Sequence, residues 1–216
     1  MKVFFRALFL LLFGLSYAQA VDTPYQKLQA VPFTEVQIED QLWLPRIETN
    51  HRVTVPHNIE WCEQTGRISN FAKAAGLMEG AFEGIYFNDS DVYKVLEGAS
   101  YSLALYPDPE LEAKVDEIIE TIAAAQEKNG YLNSYYTLVE PENKWTNLKD
   151  KHELYCAGHL LEAAIAHYHA TGKQTLLKVA IKFVNLIDSI FGPDKRHDVP
   201  GHEELELALV KLYHLT

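Results

Sequence analysis

The stretch HELYCAGHLLEAAIAHYHATGKQTLLKVAIKFVNLIDSI, residues 152–190, decides the fold. Its first part, His152 to about Ala170, is dense in Leu and Ala, which favour helix most strongly. Its second part, Lys173 to about Ile190, places Leu176, Leu177, Ala180, Val184 and Ile187 on one stripe at the spacing of a helix with a buried face. Only Thr171-Gly172 separates them, so the two helices are neighbours running antiparallel. The stretch predicts an αα-hairpin.

A second hairpin lies upstream. From Pro109 to Asn129 the residues Leu111, Val115, Ile118, Ile119 and Ile122 share a helical face, with Asp108 as N-cap, Pro109 at the first helical position and Asn129-Gly130 as a left-handed stop. Residues from about Ser90 to Leu105 are also helical in pattern, and Tyr106-Pro107-Asp108 joins the pair. A further helix begins near His202 and carries Leu205, Leu209 and Leu212. Tyr168-His169-Ala170-Thr171 and Tyr213-His214-Leu215-Thr216 match at an offset of 45, a hairpin repeat in which the partner of the last helix is expected to follow Thr216. The chain is therefore expected to be truncated there. Connections within hairpins are short, whereas Gly130 to Lys151 and Phe191 to Gly201 are long, and the two kinds fall at opposite ends of a helix array. An α/α-barrel or toroid is the expected closure, with an open solenoid as the alternative, and function is expected at the long-loop end. Val21 to Asn88 is less periodic and is interrupted by Pro32, Pro45 and Pro56.

Composition narrows the partners. With 19 Lys+Arg against 30 Asp+Glu and no basic cluster, the net charge of -11 disfavours nucleic acid or an anionic membrane. Lys2 and Arg6 flank an apolar run ending near Leu15, followed by Ala18-Gln19-Ala20, the pattern of a signal peptide over residues 1–20. Its loss removes two bases, leaving 17 against 30 and a charge of -13 on residues 21–216. An exported protein, periplasmic or extracellular and without stable membrane insertion, is expected. Cys62 and Cys156, 94 residues apart, make no disulfide framework.

The first long loop, Tyr131-Leu132-Asn133-Ser134-Tyr135-Tyr136 through Trp145-Thr146-Asn147, gathers large aromatics and amides. Sugars are held by such sets, with ring faces against C–H faces and amides on hydroxyls, so Tyr131, Asn133 and Trp145 are candidates for sugar stacking or hydroxyl contacts. The alternative is that they pin the loop to the rim. His152, Cys156 and His159, at i, i+4 and i+7, are a start for a metal site, against a reading of Cys156 and His159 as satisfied interior residues. His152 opens its helix after one long loop and His202 opens the next after the other, so both imidazoles are expected at one end, able to hold a hydroxyl or to titrate near neutral pH. Glu153, Glu203, Glu204 and Asp89-Ser90-Asp91 are carboxylate-bearing positions from which an acid/base pair could come, though helix capping accounts for Asp89, Ser90 or Asp91 as well. There is no Gly-rich phosphate loop, no Gly-x-Ser-x-Gly elbow and no Cys-x-x-Cys.

Four strings together carry a family resemblance: Phe87-Asn88-Asp89-Ser90-Asp91-Val92-Tyr93-Lys94, Gln126-Glu127-Lys128-Asn129-Gly130-Tyr131-Leu132-Asn133, His152-Glu153-Leu154-Tyr155-Cys156-Ala157-Gly158-His159 and Gly201-His202-Glu203-Glu204-Leu205-Glu206-Leu207-Ala208-Leu209. From about Val31 to Thr216 the chain resembles the N-terminal barrel segment of β-L-arabinofuranosidases, glycoside hydrolase family 127. Val95 departs from the family, which usually carries Trp there. The resemblance implies an (α/α)6 barrel, here incomplete over residues 21–216, followed by β-sandwich domains. It further implies retaining hydrolysis by a cysteine nucleophile held near zinc, with a glutamate as acid/base. The matches to His152 and His202 contact the arabinofuranose, whereas no residue here matches the nucleophile, the acid/base or the zinc ligands. The implied partner is an arabinose-containing oligosaccharide or polysaccharide of plant type. A non-catalytic carbohydrate-binding or interaction module is the alternative.

Overall fold

Helices form where the apolar period and the end signals coincide. In the computed structural model the described residues are Leu28 and 30–216, and they contain helices and no strand, with one isolated bridge between Phe191 and Arg196. The signal-peptide segment lies outside the described residues. The elements are α1 (Leu44–Thr49), α2 (Val55–Gln64), α3 (Arg67–Ala74), α4 (Asp89–Leu105), α5 (Pro109–Ala125), α6 (Ser134–Leu138), α7 (Leu148–Lys151), α8 (Glu153–Thr171), α9 (Thr175–Ile190) and α10 (Glu204–Leu215).

Both expected hairpins are present. Asp108 caps α5, its carboxylate accepting from the amides of Glu110 at 3.1 Å and Leu111 at 3.0 Å. Gly172, at φ 73°, ends α8 with its amide on the Tyr168 carbonyl. Asp108 also faces the His51 ring at 3.5 Å, and that ring meets Ser102 Oγ at 2.8 Å, so one carboxylate ties α5 to the turn before α2 and to α4. Asp108→Ala is expected to cost about 1–2 kcal/mol in urea unfolding, and Asp108→Asn, which keeps the cap, less than half of that.

α8 is the central helix. It packs on α4, α9 and α10, and α3 and α9 pack on α5, giving an inner row α4–α8–α10 with α5 and α9 outside it. Thirteen of the nineteen residues of α8 are buried, on every side of the helix, as expected of one flanked all round. Leu160, Leu161, Ala163 and Ala164 are fully enclosed and meet the buried faces of α5, with Val115 and Ile122, and α9, with Leu176 and Ala180, in one core. Val95 is partly buried against that core.

Three expectations are corrected. α5 stops at Ala125 rather than Asn129, because Gln126 turns extended and its side-chain amide donates to the carbonyls of Gly130 and Val179, both at 2.9 Å. That anchor to α9 replaces one more helical turn. α10 starts at Glu204, two residues after His202. The irregular reading of the N-terminal part missed α1, α2 and α3. Pro45 and Pro56 lie in first turns, where proline is tolerated, and a π turn over Asn50–Thr54 joins α1 to α2 without a break.

Candidate functional site

Two imidazoles meet at the long-loop end. His152 sits between α7 and α8 in the left-handed conformation, φ 63° and ψ 23°, which a residue with a Cβ adopts at a cost of about 1–2 kcal/mol. That geometry turns its ring out of the α8 register toward His202, and the two Nε2 atoms lie 3.3 Å apart. Phe87 stacks on the His152 ring at 5.2 Å, with Tyr155 at 5.4 Å and Tyr86 at 5.8 Å edge-on to it. Burial pushes the His152 pKa below its ordinary value, helped by His202 and Lys94, while Asp150 opposes the shift, so the ring is neutral at pH 7.

Two glycines set the approach of His202. A Cβ on Gly158 would lie 2.9 Å from the carbonyl carbon of Glu204 and from the Leu205 amide, and one on Gly201 would lie 2.2 Å from the Lys149 carbonyl oxygen. α10 therefore starts directly against α8, and the segment before it lies directly against α7.

Glu153 holds the first long loop. Its side chain is 1% exposed and accepts from the Tyr131 hydroxyl at 2.6 Å and from the Trp145 amide at 2.8 and 3.0 Å. Trp145 is the other non-glycine residue with positive φ among the described residues, at 65°. Desolvation raises the Glu153 pKa to about 7, against the lowering effect of these donors.

Tyr131, Asn133 and Trp145, the candidates for sugar contact, are buried in this chain, at 0, 1 and 9% exposure. Tyr131 and Trp145 pack edge to face at 5.1 Å around Phe183, and the Asn133 side chain caps α6 by accepting from the Tyr136 amide at 3.0 Å. The packing of Tyr131 and Trp145 matches the pinning alternative.

The His152, Cys156 and His159 face does not assemble either, because His152 lies outside the helix. Cys156 points at the Phe87 carbonyl, and His159 Nδ1 lies 3.2 Å from the Glu204 carboxylate. Burial lowers the His159 pKa to about 4, so this ring is neutral. Of the carboxylates, Asp89 is buried and bound by the amide and hydroxyl of Ser134, which ties α4 to α6, and burial raises its pKa to about 6. No side chain caps α4 at Asn88, and Asp89 and Asp91 lie in its first turn, where the helix dipole favours acids. Asp91 pairs with Arg67 at 2.8 Å, and Glu203 is exposed.

The sequence reading passed over Tyr155 and Lys94. Tyr155 packs on His152, His159 and His202, at 4.5 Å from His159 and 4.9 Å from His202, and its hydroxyl lies 2.6 Å from Lys94 Nζ. The signal was present in position 155, one turn after His152, beside two residues that drew attention for their metal chemistry instead.

Cys62 and Cys156 are free and buried. Desolvation pushes the Cys62 thiol up to about 11 and holds the Cys156 thiol well above its ordinary value. Neither is expected to react with a thiol reagent at pH 8 in the folded protein, and both are expected to react after denaturation, by mass spectrometry. No group of three or more His, Cys, Asp or Glu that could hold a metal ion occurs among the described residues. What the site offers is two imidazole nitrogens side by side, walled by aromatic rings, a fit for adjacent hydroxyls of a small ring.

Comparison with known proteins agrees with the resemblance. The β-L-arabinofuranosidase GH127 catalytic-domain profile matches residues 35–216. A non-reducing end β-L-arabinofuranosidase of Bifidobacterium longum subsp. longum is 43% identical over 155 residues, 69% of this chain and 24% of that protein. The crystal structure of a GH127 β-L-arabinofuranosidase from Geobacillus stearothermophilus T6 superposes with a TM-score of 0.82 at 43% identity, over 84% of this chain and 30% of that one. A further GH127 β-arabinofuranosidase gives 0.79 at 42% identity, over 86% and 31%. The chain thus spans about a quarter to a third of the length of these relatives.

Proposed function

The chain belongs to the β-L-arabinofuranosidase family, glycoside hydrolase family 127, and from that premise we propose that it forms one side of the pocket that grips a terminal arabinofuranosyl residue for hydrolysis. The observation that carries the reading is the pair of imidazoles, His152 and His202, whose Nε2 atoms lie 3.3 Å apart at the end where the long loops gather. In the neutral state each Nε2 either accepts from or donates to a sugar hydroxyl, and adjacent ring hydroxyls have a matching spacing. The rings of Phe87 and Tyr155 hold the imidazoles in place and exclude water from one side. By the family resemblance the nucleophile, the acid/base and zinc come from other barrel segments, and a substrate with a non-reducing-end β-L-arabinofuranosyl residue is carried over from the name of the Bifidobacterium relative. Export follows from the pattern of residues 1–20, and mass spectrometry of the secreted protein is expected to give an N-terminus at Val21.

Titration with a β-L-arabinofuranoside, followed through the imidazole NMR signals, tests the pocket. Saturable shifts of His152 and His202 are expected, with loss of both in His202→Gln. Absence of any saturable shift sinks the reading. If binding occurs while a chromogenic β-L-arabinofuranoside is not cleaved, the non-catalytic carbohydrate-binding alternative holds for this chain.

A further inference from the structure

We propose that His152 and His202 also form a two-imidazole site for a divalent transition cation of the zinc, nickel or copper class, and that this cation and a sugar compete for the same two nitrogens. The cation site stands on geometry alone, whereas the competition rests on the function proposed above.

The two nitrogens lie within hydrogen-bond range of each other, and the same spacing suits a shared ligand. Two imidazoles bound to one tetrahedral zinc at about 2.0–2.1 Å leave their nitrogens about 3.3–3.4 Å apart, and their ring centres near 5.2 Å. In this structure the nitrogens are 3.3 Å apart and the ring centres 4.9 Å. The facing atoms are both Nε2, and neither is committed to another protein group, while His152 Nδ1 is buried on the protein side. His152 is held by its left-handed backbone and by Phe87, and His202 by the close approach of Gly201 to Lys149, so little ordering remains to be done on binding. Both rings are reachable, His202 being exposed.

The surroundings set the strength. Lys94 on α4 opposes a cation, Asp150 before α8 and Glu204 on α10 favour one, and His159 on α8 is a neutral neighbour beside the Tyr155 ring. Two protein nitrogens leave two positions of a tetrahedron to water or to a pair of sugar hydroxyls. Binding is therefore expected to be reversible and far weaker than at a four-ligand structural site. Imidazole selects borderline cations, and calcium and magnesium, which take oxygen ligands, are expected to be ignored.

The test is titration of the chain with zinc chloride, followed through the ring-nitrogen NMR signals of all nine histidines. The expected result is a saturable one-to-one shift of the His152 and His202 signals. His202→Gln, at an exposed position, and His152→Asn, which tolerates the left-handed backbone, are each expected to weaken binding by more than the roughly 10- to 100-fold that losing an outer-shell partner costs. Shifts centred on other histidines, or an equal response to calcium, overturn the proposal. A β-L-arabinofuranoside is expected to raise the apparent zinc dissociation constant. If zinc binds and the sugar leaves it unchanged, the cation site stands and the shared-nitrogen claim falls. If the sugar shifts the two imidazoles and zinc does not, the cation site falls and the proposed function stands.

Discussion

Glu153→Ala is expected to cost about 3–5 kcal/mol of stability, measured by urea unfolding with the wild-type chain alongside. The substitution leaves the Tyr131 hydroxyl and the Trp145 amide buried without acceptors, at about 1–3 kcal/mol each, and adds a small cavity. It also frees Trp145 from the only side chain that accepts its amide, so the loop between α5 and α8 is expected to lose protection from hydrogen exchange ahead of the rest of the core. Glu153→Gln keeps an acceptor and separates packing from charge. The Glu153 carboxyl titrates near 7 in the folded chain against 4.5 when free, so the folded state binds the proton more tightly. Its stabilising contribution is then complete below pH 4.5 and disappears as the pH rises through 7, by up to about 3 kcal/mol. His152, His159 and His167, whose pKa values are lowered by burial, act in the opposite sense below pH 6.5. The difference between wild type and Glu153→Gln cancels those histidines. Unfolding of both at pH 5 and pH 8 is expected to show the Gln form gaining on wild type at pH 8, and an unchanged difference would refute the titration of Glu153 in this window.

Gly158→Val is expected to destabilise by about 3 kcal/mol or more and to abolish ligand binding at the imidazole pair. Even a bare Cβ meets the α10 backbone at 2.9 Å, and no side-chain rotation relieves contact with main chain. The helix starts must part, carrying His202 away from His152. Gly201→Ala, whose Cβ would meet the Lys149 carbonyl, is expected to lose binding with less loss of stability, since it displaces a loop rather than two packed helices. Gly98 in α4 is the control. Nothing lies within 4 Å of its virtual Cβ, so Gly98→Ala is expected to stabilise by about 0.5–1 kcal/mol through helix propensity and to leave binding intact. Wild-type binding by Gly158→Val would show that the close approach does not position His202.

Much of this was legible because it is local. The hairpins, their short turns and the Asp108 cap follow from periodicity and end signals, and placing His152 and His202 at one end followed from alternating loop lengths. The N-terminal helices were not legible because Pro45 and Pro56 read as interruptions, and proline in a first turn looks the same in sequence as proline in a loop. The site failed to read wherever burial decided it. Tyr131, Asn133 and Trp145 have the composition of a sugar platform, and only the structure shows them buried, with the Tyr131 hydroxyl and the Trp145 amide held by Glu153. Likewise, the left-handed backbone at His152 removes it from the helical face on which spacing had set it beside Cys156 and His159. The two glycines that bring α10 onto α8 carry no chemistry of their own, and a sequence shows close approach only as an absence of side chain.

The place of α8 between α4 and α10 also bears on the order of folding events. The α8–α9 and α4–α5 turns close over three residues each, so these hairpins form by local search, whereas the α4–α8 seam joins segments more than sixty positions apart and has to wait for a larger loop to close. The imidazole pair exists only after the last inner helix docks. In stopped-flow refolding, helical circular dichroism should therefore recover before the two histidines come within reach of each other, and substitutions on the α8 side of the α10 seam, such as Ala208→Gly, should speed unfolding more than they slow folding.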